Sequence, residues 1–321
     1  MFHGKWIVDG HADILYRMGK EKLAFYDHEN RLHQNYQHLQ ASGVDLQVFV
    51  TFVEPEQTAS EQLFEVLDSL HRFRNEVERT DRVQAVLSVQ DLQRVLQNGH
   101  TGGILSLEGA DALNGRISIL STLFQLGVRL IGLTWNGANC VADGVGESRG
   151  AGLTQFGRDV VKEMRSLGMV VDVSHLAPRG VWDVLDLYDG PVVASHSNAM
   201  SVYAHRRNLT DDQIRAIAAS GGVIGATFVP DFIGRSEFLT TDDIMKHIDH
   251  LLTVAGEDSV AIGSDFDGIE STLQDLRNGS DYPRLLEKIE RRYGSTVLAK
   301  VGGENWLRVL MQVLPQGDCE S

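Results

Sequence analysis

Eight short runs rich in β-branched and other apolar residues, separated by stretches with helical periodicity, constrain this chain more than any other feature. They are Trp6 to Asp13, Leu46 to Val53, Gly103 to Glu108, Val128 to Trp135, Met169 to His175, Pro191 to His196, Val223 to Val229 and Val260 to Asp265. None alternates strictly between apolar and polar, which is the pattern of parallel strands covered on both faces. Eight such strands with helices between them predict an α/β fold, a TIM (β/α)8 barrel. A ninth run, Val83 to Val89, reads as an accessory strand or a lead-in to the third.

The intervening segments support that reading. Ser60 to Thr80 has helical spacing with Leu63, Phe64, Val66, Leu67, Leu70 and Phe73 on one face, and Thr154 to Leu167, Thr210 to Ser220 and Thr241 to Ala255 read likewise. Thr210-Asp211-Asp212-Gln213 and Thr241-Asp242-Asp243-Ile244 place side-chain acceptors where the free N–H groups of a first helical turn need them. Glycine-rich stretches at Asp143 to Gly146 and Arg149 to Gly152 follow a strand, on the side where barrels carry their active sites. No linker divides the 321 residues, so one barrel domain over 1–321 with a short C-terminal tail is expected.

Composition narrows the partners. A net charge of −15 speaks against nucleic acid and against an anionic membrane surface, both of which call for a basic face. No run of apolar residues is long enough to span a bilayer, and the start of the sequence lacks the pattern of a secretory signal. With only Cys140 and Cys319, a disulfide framework is not expected and a cytoplasmic location is.

The residues able to do chemistry fall at strand ends. His11 and Asp13 close the first run, where positions i and i+2 point to the same side and can grip one ion while Ala12 faces away. Glu108 closes the third run, His175 the fifth, His196 the sixth and Asp265 the eighth. Taken singly, each has a simple alternative, a buried hydrogen-bonded side chain at a strand terminus. Taken together, six such residues converge at the C-terminal mouth of a barrel, and three imidazoles with two carboxylates form a natural ligand set for zinc or a similar divalent ion. A shared carboxylate in such a set can bridge two metals. Asp172 is out of phase with His175, and Asp9 lies one pleat below His11, so both read as supporting groups; Asp267, past its strand end, is unassigned.

The ordered motifs resemble those of the membrane dipeptidase (renal dipeptidase) family of zinc peptidases, in a bacterial-type form, over nearly the whole length. They are Asp9 to Asp13, Glu108-Gly109, Gly127 to Thr134, Val171 to His175, Ser195 to Ala199, Arg206-Arg207-Asn208 and Gly263 to Gly268. The resemblance implies a metal-dependent hydrolase barrel holding two Zn2+ ions per chain, His11 and Asp13 on one, His175 and His196 on the other, with Glu108 and a hydroxide bridging them. It implies that Arg207 binds substrate, that Asp265 is catalytic, and that the chain forms a homodimer. Where mammalian members have a substrate-contacting histidine after Leu-Thr, this chain has Trp135 and then Asn136. Asn136 is a candidate amide donor to substrate in its place, and Trp135 either shapes a pocket wall or fills the core.

The expected reaction is hydrolysis of dipeptides, with L-D dipeptides as candidate substrates beside L-L ones, by a metal-bridged hydroxide, without a covalent acyl-enzyme. Asp265 either takes up the proton of the nucleophile and passes it to the leaving amine, or binds the substrate ammonium, and Arg207 pairs with a carboxylate or helps hold the oxyanion. Two rivals stand beside this. One is another amidohydrolase-like barrel acting on a lactone, phosphotriester or cyclic amide, against which the His-x-Asp form counts, and the other is a catalytically silent metal-binding protein.

Overall fold

A computed structural model of the chain describes residues 6–29 and 31–317. Cys319 and the last residues of the expected tail lie outside them. The strands are β1 (Val8–Ala12), β2 (Leu46–Phe52), β3 (Val83–Ala85), β4 (Thr101–Glu108), β5 (Val128–Gly132), β6 (Val170–Asp172), β7 (Ile224–Ala226) and β8 (Val260–Ile262). β1, β2, β4, β5 and β6 pair in that order, all parallel, and β7 pairs with β8 in a separate parallel ladder.

Single bridges join these two ladders into a ring. Asp172 bridges to Val193 and Ala194 to Ile224, so the run 191–196 occupies the sixth barrel position without forming a strand of its own. Between β8 and β1, Ala12 bridges to Phe266, while the Asp265 and Asp13 amides donate to the carbonyls of His11 and Phe266 at 3.0 and 2.8 Å. The result is a closed α/β barrel with the expected eight positions. β3 pairs only with β4, outside the ring, which makes it the accessory strand.

Helix boundaries follow local chemistry. Thr210 caps Asp211–Ala219 in a box with Gln213, and Thr154 caps Gln155–Leu167. The helix at 241–255 has the expected bounds, but its cap is Thr240, one residue earlier, with Asp243 closing the box. The segment expected over 60–80 differs more: an α-helix over Ala59–Arg72 runs into a π-turn over Phe73–Val77. It buries Val66, Leu70 and Phe73, whereas Phe64 and Leu67 face solvent at 63% and 37% exposure. The apolar stripe there is wider than the face the barrel covers.

Buried apolar residues form two clusters. The larger spans sheet and surrounding helices; the smaller joins Val8, Val48, Ile104, Leu130, Val170 and Val193 to Leu92 and to Trp306, on the last helix (Asn305–Val313). Trp306 fastens the closing seam. Its indole N–H donates to the Ile262 carbonyl at 3.1 Å, and its ring occupies the space that a side chain on Gly10 needs, since a Cβ there would lie 2.3 Å from Cζ2. No helix among the described residues is long and apolar enough to cross a membrane.

Candidate metal centre

Parallel strands of a barrel end on one side, so the residues closing β1, β4, β6, the run 191–196 and β8 meet in one mouth. Glu108 is the meeting point. Its Oε1 lies 3.0 Å from His175 Nε2 and 3.6 Å from His196 Nε2, and its Oε2 lies 3.7 Å from His11 Nε2. His11 Nε2 is in turn 3.6 Å from Asp13 Oδ2. Two ligands of one tetrahedral zinc with bonds of about 2.0–2.1 Å stand about 3.3 Å apart. The observed separations bracket that value.

The polar accounting also fits a cation. His11 Nε2 and Asp13 Oδ1 are buried with no hydrogen-bond partner, although buried polar atoms are ordinarily satisfied. His175 Nε2 and His196 Nε2 approach to 2.8 Å, an arrangement in which two nitrogens share one proton or face one cation. One ligand atom from each of His11, Glu108 and His196, and likewise from His11, Asp13 and Asp265, can be drawn within 4.8 Å of one another. Buried charges in such number are compensated by pairing or by metal coordination.

Electrostatics within the cluster are strongly perturbed. Burial pushes Asp265 well above the usual carboxylate range, against the pull of His11, and burial with the nearby Glu108 charge raises Asp13. For Glu108 burial acts upward too, but the charges and hydrogen bonds of His11 and His175 outweigh it and hold the carboxyl below its ordinary range. Burial and the Arg207 charge lower His175 to about 4; burial and the neighbouring His11 lower His196.

The backbone is shaped to deliver these groups. His175 and Asp265 both take left-handed φ of 65°, a conformation that costs a residue with a Cβ about 1–2 kcal/mol. Each stands just beyond its strand, where the chain must turn at once. Asp267, also left-handed at φ 68°, takes the His33 and Gln34 amides at 2.7 and 3.1 Å, so this previously unassigned carboxylate clamps the 31–35 segment to the turn. Gly268 is a requirement the sequence reading passed over. A Cβ there would lie 2.2 Å from Asp13 Oδ2 and 2.6 Å from Asp265 Oδ1, so the two carboxylates share this corner only because position 268 has no side chain.

A cavity of about 330 Å3 opens above the cluster, with Asp13, Glu108, His175 and Asp265 among its lining. Trp135 is in its wall rather than in the core, with its ring 5.3 Å from Phe52 and 6.1 Å from His175. Asn136 also lines the cavity, and its Oδ1 accepts from His175 Nδ1 at 2.9 Å, a partner the sequence did not reveal. Arg207 is buried and is not among the lining side chains. Its Nη2 donates to the His196 carbonyl at 3.2 Å, its guanidinium stands 5.2 Å from the centre of the Phe232 ring, and its Nε has no partner. Burial lowers it to about 10. The expected site residues are thus gathered in one place, with Arg207 a layer back.

A closed parallel barrel whose mouth holds three imidazoles and three carboxylates defines a class, the metal-dependent barrel hydrolases. The family is narrower. The model of the membrane dipeptidase family, peptidase family M19, matches residues 2–316, and the chain belongs to that family as a metallo-dipeptidase, a hydrolase. It is 41% identical over 249 residues, 73% of this chain and 90% of the other, to an uncharacterized protein in the pqqA 5′ region of Klebsiella pneumoniae. It is 32% identical to an uncharacterized dipeptidase of Schizosaccharomyces pombe, over 96% of this chain and 80% of that one. Among solved structures, a metallopeptidase from Rhodobacter sphaeroides, liganded with a phosphinate mimic of the dipeptide L-Ala-D-Ala, superposes with a TM-score of 0.89 at 27% identity, covering 96% of this chain and 99% of that one.

Proposed function

We propose that this dipeptidase works with two zinc ions, His11 and Asp13 holding one, His175 and His196 the other, and Glu108 bridging them. The observation that carries the reading is the convergence of three Nε2 atoms on the two oxygens of Glu108, with Asp13 beside them. When bound, a pair of such ions lowers the pKa of a shared water from about 15.7 towards roughly 7 and polarises a carbonyl oxygen.

The chain's own residues then divide the remaining work. Asp265 lines the cavity beside Asp13, and its carboxylate takes a proton from the attacking water and gives it to the leaving amine. The same carboxylate is the natural partner of a substrate ammonium. Arg207, with a free buried Nε, supplies positive charge for a carboxylate or for the developing oxyanion. An acidic anchor at Asp265 in the wall of a cavity of about 330 Å3, with the Arg207 charge a layer behind the site, favours a zwitterion of two residues over longer peptides. Trp135 forms a wall for substrate side chains, and Asn136 acts through His175, its amide remaining beside the cavity. The resemblance supports a homodimer, and the scarcity of cysteine supports action in the cytoplasm.

The L-Ala-D-Ala mimic bound by the Rhodobacter relative supports acceptance of a D residue at the second position. Metal stoichiometry measured alongside a panel of L-L and L-D dipeptides, lactones and phosphotriesters tests the whole reading. The expected result is two ions per chain and dipeptide turnover that a chelator abolishes; turnover of a lactone or phosphotriester with no dipeptide cleaved overturns the substrate assignment.

A further inference from the structure

An imidazole that turns Nε2 toward Glu108 has Nδ1 on its far side, and the partner of that atom decides which nitrogen is left to bind metal. His175 Nδ1 meets Asn136. His11 and His196, which belong to different ions in the reading above, meet the same atom, Ser195 Oγ, at 3.2 and 2.8 Å.

Ser195 is fully buried and firmly held. Its backbone N–H donates to Asp172 Oδ1 at 2.9 Å, and its hydroxyl donates to Asp172 Oδ2 at 2.5 Å. Asp172 Oδ1 also accepts the Ser174 amide at 2.9 Å. Ser174 Oγ lies 3.4 Å from Ser195 Oγ, the longest approach at this hydroxyl, and accepts the His196 amide at 3.2 Å. A serine hydroxyl has one proton and two lone pairs. With the proton committed to a carboxylate in a short charge-assisted bond, both lone pairs are left to accept, and two imidazole N–H groups stand where they are needed.

We propose that Ser195 is a positioning residue for both metal positions at once, its single hydroxyl fixing the tautomer and ring orientation of His11 on one side and His196 on the other, with Asp172 orienting the hydroxyl. This rests on the metal-centre reading under Proposed function. It differs from that reading in coupling the two ions through a group that touches neither. Asn136, which serves His175 alone, is the built-in contrast.

The test is stepwise divalent-ion affinity of the full chain by chelator competition, with Co2+ spectra of each position, for Ser195→Ala, Ser195→Thr, Asp172→Asn and Asn136→Ala. Ser195→Ala, folded by circular dichroism, is expected to bind both ions about 10–100-fold more weakly and to change both Co2+ spectra, and Ser195→Thr, which keeps the oxygen, to restore tight binding. Asp172→Asn keeps an oxygen for the two backbone amides but turns an N–H toward Ser195 Oγ, filling one lone pair, so the loss falls on one ion. Asn136→Ala likewise weakens one ion only. Wild-type affinities in folded Ser195→Ala, or a loss there confined to one ion, overturn the proposal; should Ser195→Ala not fold, wild-type affinities in Asp172→Asn do so. A wild-type chain that takes up no divalent ion defeats the metal-centre reading itself, a result distinct from either.

Discussion

The two arcs of the barrel are built differently. From β1 to β6 every neighbouring pair of strands is joined by a ladder, seven residue pairs long between β2 and β4 and three between β5 and β6, with register shifts in the β1–β2 and β4–β5 pairings. From 191 to 266 only β7 and β8 share a ladder, of three pairs, and single bridges do the rest. Side chains hold what the ladder does not. Asn198 exchanges two bonds with the Thr227 backbone, at 2.9 and 3.2 Å. Asp9 takes the amide and hydroxyl of Ser264 at 2.8 and 2.6 Å, and His247 ties Ala199 to Ile233 at 3.2 Å on each nitrogen. The lesson is that a barrel arc carrying His196, Arg207 and Asp265 gives up backbone pairing, which tolerates only strand geometry, for side-chain locks that let the chain turn sharply at the residues it presents.

The comparison breaks first where side chains from both arcs meet, on Glu108 at the end of β4. Glu108→Gln is expected to lose bound metal and to fall below about 1% of wild-type turnover, because a neutral amide cannot bridge two cations. Metal analysis and dipeptide assay on one preparation check this. Asp265→Asn, in the locked arc, is expected to keep its metal and lose about 10²–10⁴-fold in kcat. Full turnover at normal metal content would remove Asp265 from proton transfer.

Acid tests one lock of the second arc. His247 accepts the Ala199 amide at Nδ1 and donates from Nε2 to the Ile233 carbonyl, so it is folded as the neutral form, and burial lowers it to about 4. Between that value and the ordinary 6.5 the unfolded chain binds the extra proton, so this contribution is complete above about pH 6.5 and is lost as pH falls through 4, at most about 3 kcal/mol. Denaturant midpoints across pH 4–7 should therefore fall more steeply for the wild type than for His247→Gln.

The smallest effect is the sharpest comparison. Asn198→Ala leaves two buried Thr227 backbone groups unpaired and is expected to cost about 2–4 kcal/mol. Thr51→Val, on the laddered arc, removes a buried hydroxyl that has no partner and is expected to change stability by less than about 0.5 kcal/mol, or to raise it. Thermal melts of the two variants read the difference. Equal losses would show that the ladder, not the locks, carries both arcs.

Legibility in the sequence follows the same division. Apolar runs and hydroxyl caps are local, so eight barrel positions and the start of the helix at 211 could be read from spacing. That 191–196 joins the ring through bridges alone could not, because an apolar run looks the same whether its neighbours offer a ladder or a single contact. At the site, His11, Asp13, Glu108, His175, His196 and Asp265 share the trait of ending a run. Asn136, Ser195 and Gly268 matter through atoms that are distant in sequence. No local pattern distinguishes a serine that meets two imidazoles from an ordinary buried serine. The exposure of Phe64 and Leu67 shows the opposite error, a helical periodicity more apolar than its docking face requires.

The closing seam has a consequence in time. β1 is made before the other strands, yet its neighbour across the seam is the turn around Phe266, and the indole that braces the seam comes from Trp306. At a synthesis rate of about 5–20 residues per second, His11 waits on the order of tens of seconds for Asp265 to exist. The five residues that hold the ions in the reading above are all made by position 196, but the bridge from Ala12 to Phe266 that closes the ring needs the later chain. The corner that Asp265 occupies is in this sense the last part of the site to be made, set by the order in which the barrel is built.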